Sequence, residues 1–581
     1  MDDLYNRVSK LEQTVFKQFS QDDDGPVPET LQGTSQHLPF IRVSDHAKVA
    51  SFNVDLSSRA AALPPLVQAN NLFAHFAATM HPTIGILHIP STARLIDDIY
   101  LNYHKGKLPE PASLMLLFAI FAASLLSSTP MLLQMVDATQ PQATTAYQTY
   151  MRAALSILQD CRPLAESTTA LAALTMLAHL TSNDDGYSVE DHLLRVRCHW
   201  MARSMGVHCI DSLRFREQRQ LTRYNMIEVE IQRRVWWSIV SSDWLSSFSG
   251  GVQAGTYTFH PQHMNVDYPS NVDDEHITEM EVSNVQPLSE PTSATGIILR
   301  AKFATICREA ADAMPELMVL GETPEYTTIL ALDSKFQAFL TELPIFYRLD
   351  PESTLRSQNI CRQRPYIAWQ RTHLHLALHT RLCRLHRPYH LKGMTDPAYG
   401  YSREVCVRSS QVVLDLRRSM DDTYAPMGLR PARFWVVVQH VSLAALTLAT
   451  DVSFDAAAPD AEARKAKVLA AYDALEKSME EAVGFREAIR KNLKNLLATL
   501  ERQPGSTDNL SGESTEGFDN NILPNIGGCA NDDSVEGITP ATASEAPAQD
   551  WDWDQLFSEF LTVAPELDFS QWDQLLEGTN L

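Results

Sequence analysis

The sequence predicts an all-α protein: a large helical bundle or superhelical body followed by a disordered, acidic C-terminal tail. Three observations carry this. From about residue 65 to 500, apolar residues recur at spacings of three and four, with Pro or Gly at the joints. Alternating β-branched runs are few, and no strand–helix alternation supports a sheet. Charge also changes abruptly: beyond Arg502 there is no Lys or Arg, while residues 506–581 hold 16 Asp and Glu. Of the formal net charge of −23, that stretch carries −16. The body is therefore only mildly acidic, and its end is a solvated appendage.

Taken in order, residues 4–19 place Leu4, Val8, Leu11 and Val15 in the a/d rhythm of a coiled coil. Two heptads are too short to be stable alone, so this segment is either a dimer seam or a frayed amphipathic helix. Residues 20–64 read as a polar linker containing Pro and Asp. Helical patterns then cover 112–128, 145–160, 167–181, 190–206, 226–249, 298–321, 366–387, 402–420, 432–450 and 460–500. Residues 251–295, rich in Asn, Asp, Ser and Pro, are expected to form a long irregular connection. Residues 503–549 are rich in Gly, Ser, Asn, Asp and Pro and are expected to be disordered.

Residues 111–136 contain no charge and are long enough to span a membrane. Yet Ser127-Ser128-Thr129-Pro130 reads as a helix stop followed by a new helix start. The flanks also lack a Lys/Arg cluster or aromatic belt. A buried core helix is expected, and no membrane. The eight cysteines are scattered, the closest pair eleven residues apart, and no C-x-x-C occurs. A zinc site built from local cysteines is thereby excluded. The N-terminus begins with acids and shows no secretory signal, so free thiols in a reducing compartment are expected.

The most distinctive stretch is Arg233-Arg234-Val235-Trp236-Trp237, with Asp243 further along the same helix and Met205-Gly206-Val207-His208 before it. Upstream, a helical stretch with Phe73 and Phe76 runs into His81-Pro82, then Leu87-His88 and Pro90. Downstream lie Val266-Asp267-Tyr268-Pro269, within an acidic stretch from His260 to Asp274, and then Leu385-His386-Arg387-Pro388-Tyr389. In this order the four segments, spanning roughly 70–410, resemble the middle homology domain of fungal zinc-cluster transcription regulators. Two positions depart from that pattern: Trp244 stands where the family usually has a basic residue, and Gly251-Val252-Gln253 where it tends to have Gly-Arg-Pro.

The resemblance implies an all-helical regulatory domain in a nuclear transcription regulator of a catabolic or secondary-metabolite gene cluster. Zinc-cluster relatives read DNA through six cysteines holding two zinc ions, and a short coil follows that cluster. No such cysteine set occurs within this sequence. The expectation is no cofactor in this chain, with zinc and DNA contact supplied only by an upstream cluster or a DNA-bound partner. Residues 4–19 are then a candidate homo- or heterodimer seam.

Each sharp reading has a plainer rival. Neighbouring tryptophans on a helix sit about 100° apart, so Trp236 can face inward while Trp237 wedges into an adjacent helix. Arg233 and Arg234 are expected to stack on these rings or pair with a carboxylate such as Glu230 or Asp243. A ligand-stacking platform is the rival. His375 and His379 share a helix face, a real ligand spacing, but no Asp or Glu lies between Glu352 and Asp396 to complete a metal site. Residues 355–395 hold seven Arg and one Lys with no acid. They grip phosphates or, as favoured here, cap helices and pair with acids elsewhere. There is no G-x-S-x-G and no Gly-rich phosphate loop, so no enzyme is expected.

The tail is the second distinctive feature. Residues 550–577 read DWDWDQLFSEFLTVAPELDFSQWDQLLE, with Trp-Asp-Gln-Leu at 553–556 and again at 572–575. Acids keep Trp551, Trp553, Phe557, Phe560, Trp572 and Leu575 solvated and available to enter a coactivator groove as a short helix. Docking onto the protein's own body is the rival. The expected function is a transcription regulator acting as an activator in the nucleus through coactivators or the general transcription machinery. The alternative is a helical small-molecule-binding protein or enzyme with a disordered tail.

Overall fold

The structure, a computed structural model, describes residues 59–160, 164–184, 188–221, 225–249, 253–315, 323–424, 431–455 and 457–481. The expected coil at 4–19, most of the linker at 20–64, the stretch 503–549 and the segment 550–581 lie outside them. Among the described residues there are nineteen α-helices, several 3-10 turns and no strand, with an isolated antiparallel bridge between Ile277 and Val282. The all-α expectation is met.

The first half comprises α1 (Leu66–Thr79), α2 (His81–Ile84), α3 (Ile89–His104), α4 (Pro111–Leu126), α5 (Pro130–Met135), α6 (Gln140–Asp160), α7 (Thr168–Asp184), α8 (Val189–Ser204), α9 (Leu213–Leu221) and α10 (Met226–Ser247). Its centre is α4, in which every residue from Ala112 to Leu126 is buried. A helix apolar all round has no solvent face to offer, and α4 satisfies this by packing against α1, α6 and α7. The charge-free run does break where Ser127 to Pro130 predicted. Ser127 ends α4, the Thr129 hydroxyl accepts from Leu132 N at 3.2 Å, and Pro130 opens α5. Its Ser124 hydroxyl donates to Leu72 O at 2.9 Å, fastening α4 to α1.

The second half comprises α11 (Thr295–Ala313), α12 (Tyr326–Glu342), α13 (Pro351–Arg356), α14 (Gln358–Gln363), α15 (Tyr366–His386), α16 (Lys392–Thr395), α17 (Gly400–Tyr424), α18 (Trp435–Phe454) and α19 (Ala461–Glu481). Phe303, Phe336, Phe346 and Leu378 share one core between α11, α12 and α15. The helix expected over 298–321 is interrupted at Met314, because Pro315 disfavours helical geometry at the residue before it, and 316–321 lie outside the described residues. Within α18, Val436–Phe454 is long and apolar enough to cross a membrane, and 67% of its apolar window is buried inside the protein.

Near its C-terminal end α18 carries Asp451, a fully buried carboxylate that gathers two arginines and a histidine from three parts of the chain. His390 Nε2 lies 3.0 Å from Oδ1, Arg403 Nε donates to the same oxygen at 2.8 Å, and Arg464 pairs with Oδ2. Burial opposes the charge, but His390 and Arg403 outweigh it and hold the carboxyl down at about 2. Its folded pKa therefore lies below the unfolded value of about 3.9. The stabilisation is present above roughly pH 4 and lost as pH falls toward 2. We expect the melting temperature of the Asp451→Asn variant to depend less on pH than wild type over that window, a difference readable by circular dichroism.

The irregular connection expected over 251–295 is present across its described part, 253–294, held by side chains in place of a ladder. Asn271 is buried within it. Its Nδ2 donates to Gln286 O, Pro287 O and Glu290 O, and its Oδ1 accepts from the Thr292 and Thr295 hydroxyls. A buried loop needs such partners for its backbone carbonyls.

Candidate functional site

The middle of α10 brings three of the four signature segments together. Arg234 is buried, its side chain 2% exposed. Its Nη1 donates to Asp274 Oδ1 at 2.7 Å and to Leu87 O at 3.0 Å. Glu230 Oε1, one turn back, lies 3.9 Å from its Nε. Asp274 uses its other oxygen to accept from Ile89 N at 2.8 Å, and its carbonyl accepts from His88 Nε2 at 2.9 Å. His88 Nδ1 accepts from Ser91 N, capping α3. His81 Nε2 faces the same Leu87 carbonyl at 3.0 Å. The His-Pro and Leu-His elements thus join one hydrogen-bond network with Asp274 and the Nη1 of a single guanidinium.

Electrostatics agree with the geometry. Burial pushes the Asp274 carboxyl up, but the Arg234 charge outweighs it and, with the bond from Ile89 N, holds it below its ordinary value. Burial pulls His81 down, with Asp274 opposing, so this imidazole is biased to its neutral form. Burial works against the Arg234 charge, and Asp274 and Glu230 restore it.

Arg233 points the other way round the helix. It grips Asp211 with both arms, Nε to Oδ2 at 2.9 Å and Nη2 to Oδ1 at 2.6 Å, and reaches Glu230 Oε2 at 3.4 Å. Asp211 Oδ2 also accepts from Asp267 N at 2.9 Å, and Glu230 Oε1 from Ser270 N at 2.8 Å. The expected Glu230 pairing is present. Pairing with Asp243 is not: that residue lies nine and ten positions along, roughly 14 Å of helix rise. Asp243 Oδ2 instead accepts from Thr258 N and Phe259 N at 2.8 and 3.0 Å.

Both tryptophans are packed. Trp236 meets Phe259 edge-on at 5.2 Å and His208 at 6.3 Å. Its Nε1 is buried with no acceptor among the described residues. Trp237 stacks on Tyr268 at 4.5 Å and donates Nε1 to Asp267 O at 2.9 Å. It therefore wedges against the irregular connection, where an adjacent helix was expected. The loop carrying His208 is set by Gly206, at φ +72°, where an added Cβ would also meet the Phe215 ring at 3.0 Å. Asn265 N donates to His208 O at 2.7 Å, joining this loop to the connection.

The fourth segment lies apart. His386 is fully buried, with Nδ1 2.9 Å from Ser402 Oγ and Nε2 3.2 Å from Asp333 Oδ1. Arg387 and Pro388 open a 3-10 turn in which the Tyr389 hydroxyl donates to Pro324 O at 2.6 Å. Helix α15 nevertheless touches the first segment. Gln370 Nε2 donates to Pro82 O at 2.6 Å, an approach that requires Gly296, where a Cβ would fall 2.6 Å from the amide.

Along 355–395, arginines turn to carboxylates and carbonyls. Arg364 grips Asp273 with both arms at 3.0 and 2.6 Å, and Arg381 donates to Leu245 O at 3.0 Å. His375 Nε2 faces Tyr347 O at 2.8 Å, and His379 Nδ1 lies 3.3 Å from Ser409 Oγ. Burial lowers these histidines to about 4 and about 3. Among the described residues no group of three His, Cys, Asp or Glu is placed to hold a metal ion.

Two residues central to this site, Asp211 and Asp274, had no assigned role in the sequence reading. They lie 22 and 40 positions from their arginines, so no local spacing announces them. Asp211 does stand out as a charge in an otherwise apolar turn, Cys209-Ile210-Asp211.

The geometry is a packed junction of signature segments, and comparison with known proteins says what kind of protein carries it. The fungal specific transcription factor domain matches residues 73–311, which contains this junction. A probable transcription factor of Aspergillus flavus, lepB, is 30% identical over 89% of this chain and 92% of its own. The chain belongs to the fungal-specific transcription factor family. It is a transcription regulator.

Another member, the agnestins biosynthesis cluster transcription factor of Paecilomyces divaricatus, is 31% identical over 72% of this chain and 60% of its own. A transcription factor of Pyricularia oryzae is 29% identical over 62% of this chain and 46% of its own. Against these two family members the chain spans about half to three-fifths of their length. Among solved structures, a chain of the K. lactis CBF3 core aligns at TM-score 0.45 and 10% identity, over 80% of this chain and 87% of that one.

Proposed function

We propose that this chain is a nuclear activator of a metabolic or secondary-metabolite gene cluster. It acts through a helical regulatory body over 65–502 and an acidic-aromatic activation segment over 550–581. One relative is named for a biosynthesis cluster, which supports the class of target genes. The body supports a scaffold role: the side chains that mark the family are occupied by ion pairs and packing within the protein. Sequence-specific DNA contact, and zinc with it, is assigned to a six-cysteine cluster upstream or on a DNA-bound partner, with residues 4–19 as the seam to that partner.

The repeated Trp-Asp-Gln-Leu among acids carries the activator reading. Fused to a heterologous DNA-binding domain, residues 540–581 are expected to switch on a reporter. Combined Trp553→Ala, Phe557→Ala and Phe560→Ala substitution removes one helical face of anchors and should lower that output by about tenfold or more. A silent fusion, or one indifferent to these substitutions, would refute the activation segment.

A further inference from the structure

Helix α8 has two apolar faces, and only one of them is used. Asp191, Leu194, Cys198, Met201 and Ala202 are buried, and the helix packs chiefly on α7. At about 100° per residue, Val189, Leu193, Val196 and Trp200 lie on the opposite side. They are exposed to 77%, 50%, 49% and 75%. Their spacings of four, three and four are those of a helix-pairing seam. A tryptophan three-quarters exposed is unusual for so large an apolar residue, and such residues anchor interfaces.

The charges beside the stripe say what covers it. Glu190 and Arg197 lie along one edge, and neither pairs with another described residue. Arg195, by contrast, pairs with Asp191 on the inner side at 2.8 Å. We propose that this stripe is a homodimer interface, in which α8 of a second copy packs antiparallel across a two-fold axis between Leu193 and Val196.

In that register Val189 of one copy meets Trp200 of the other, and Leu193 meets Val196, so a small residue faces a large one at each end. A two-fold axis brings the same edge of both helices together, run in opposite directions. Glu190 of each copy then faces Arg197 of the other, giving two salt bridges at the rim. An acidic segment such as the chain's own tail would satisfy Arg197 but meet Glu190 with like charge. A second copy satisfies both.

The test is sedimentation velocity over a concentration series. It uses the full chain carrying Val8→Asp and Leu11→Asp, so that a seam at 4–19 does not hold the copies together. A reversible dimer is expected. Leu193→Glu with Trp200→Glu should weaken it on the order of 100-fold or more, since two carboxylates per copy would enter the seam. Circular dichroism melting at concentrations where both proteins are monomeric should be unchanged, because both side chains are exposed in the single copy. Glu190→Arg alone should weaken the dimer, and adding Arg197→Glu should restore it. Three results overturn the proposal: a monomer at every concentration, a dimer indifferent to the Leu193 and Trp200 changes, or a charge reversal that fails to rescue.

Discussion

Asp274→Ala is expected to destabilise the protein by about 3–5 kcal/mol, the usual cost of removing one member of a buried ion pair. The carboxylate holds Arg234, whose side chain is 2% exposed, and it also accepts from Ile89 N. With it gone, the guanidinium keeps the Leu87 carbonyl at 3.0 Å and Glu230 at 3.9 Å, and a backbone N–H at the start of α3 loses its acceptor. The loss should therefore exceed that of an exposed pair such as Arg356 with Glu352, worth about 0–1 kcal/mol. Chemical unfolding of both variants checks this. A change at Asp274 no larger than the one at Glu352 would mean that Arg234 is not held as described.

The tryptophan pair gives the second large effect. Trp236→Ala should cost about 3–5 kcal/mol, as for other fully buried large aromatics, because the ring is enclosed by Phe259 and His208. The conservative changes separate the two rings. Trp236→Phe removes an N–H that has no acceptor among the described residues, whereas Trp237→Phe breaks the bond to Asp267 O and strands that carbonyl. Trp237→Phe is therefore expected to be the more costly by about 1 kcal/mol. Unfolding midpoints of the two variants, compared at equal denaturant slope, decide it. The reverse order would place the stabilising hydrogen bond on Trp236.

Much of this fold is legible in the sequence because its helices carry complete faces. The unbroken apolar run of α4 announces a buried helix, and Thr129-Pro130 announces its end. The twin tryptophans of α10 announce a packed junction, and the Asn- and Pro-rich stretch after it an irregular connection. The partners across the junction are not legible. Arg234 pairs with Asp274 and Arg233 with Asp211, and either arginine would have suited Glu230 equally well by spacing alone. Helix periodicity reports contacts within a few residues, whereas these pairs depend on how the 253–294 connection folds back over α10. Helix α8 shows the same limit: its outer stripe has the spacing of a buried face, and only the structure reveals which of its two faces the body uses.

On the proposed function, the family signature is a scaffold for docking and regulation, with its arginines and tryptophans holding the body together. The direct measurement pairs transcriptional output with folded fraction across one series: Asp211→Ala, Asp274→Ala, Arg234→Met and Trp236→Ala. Reporter activity in cells is set against thermal unfolding of the purified full chain. Output is expected to fall in step with stability, and Arg234→Met with Asp274→Leu, which removes both buried charges together, is expected to recover much of both. A variant that stays as stable as wild type yet loses activation would contradict the scaffold role, and would make this junction a site for a ligand or partner.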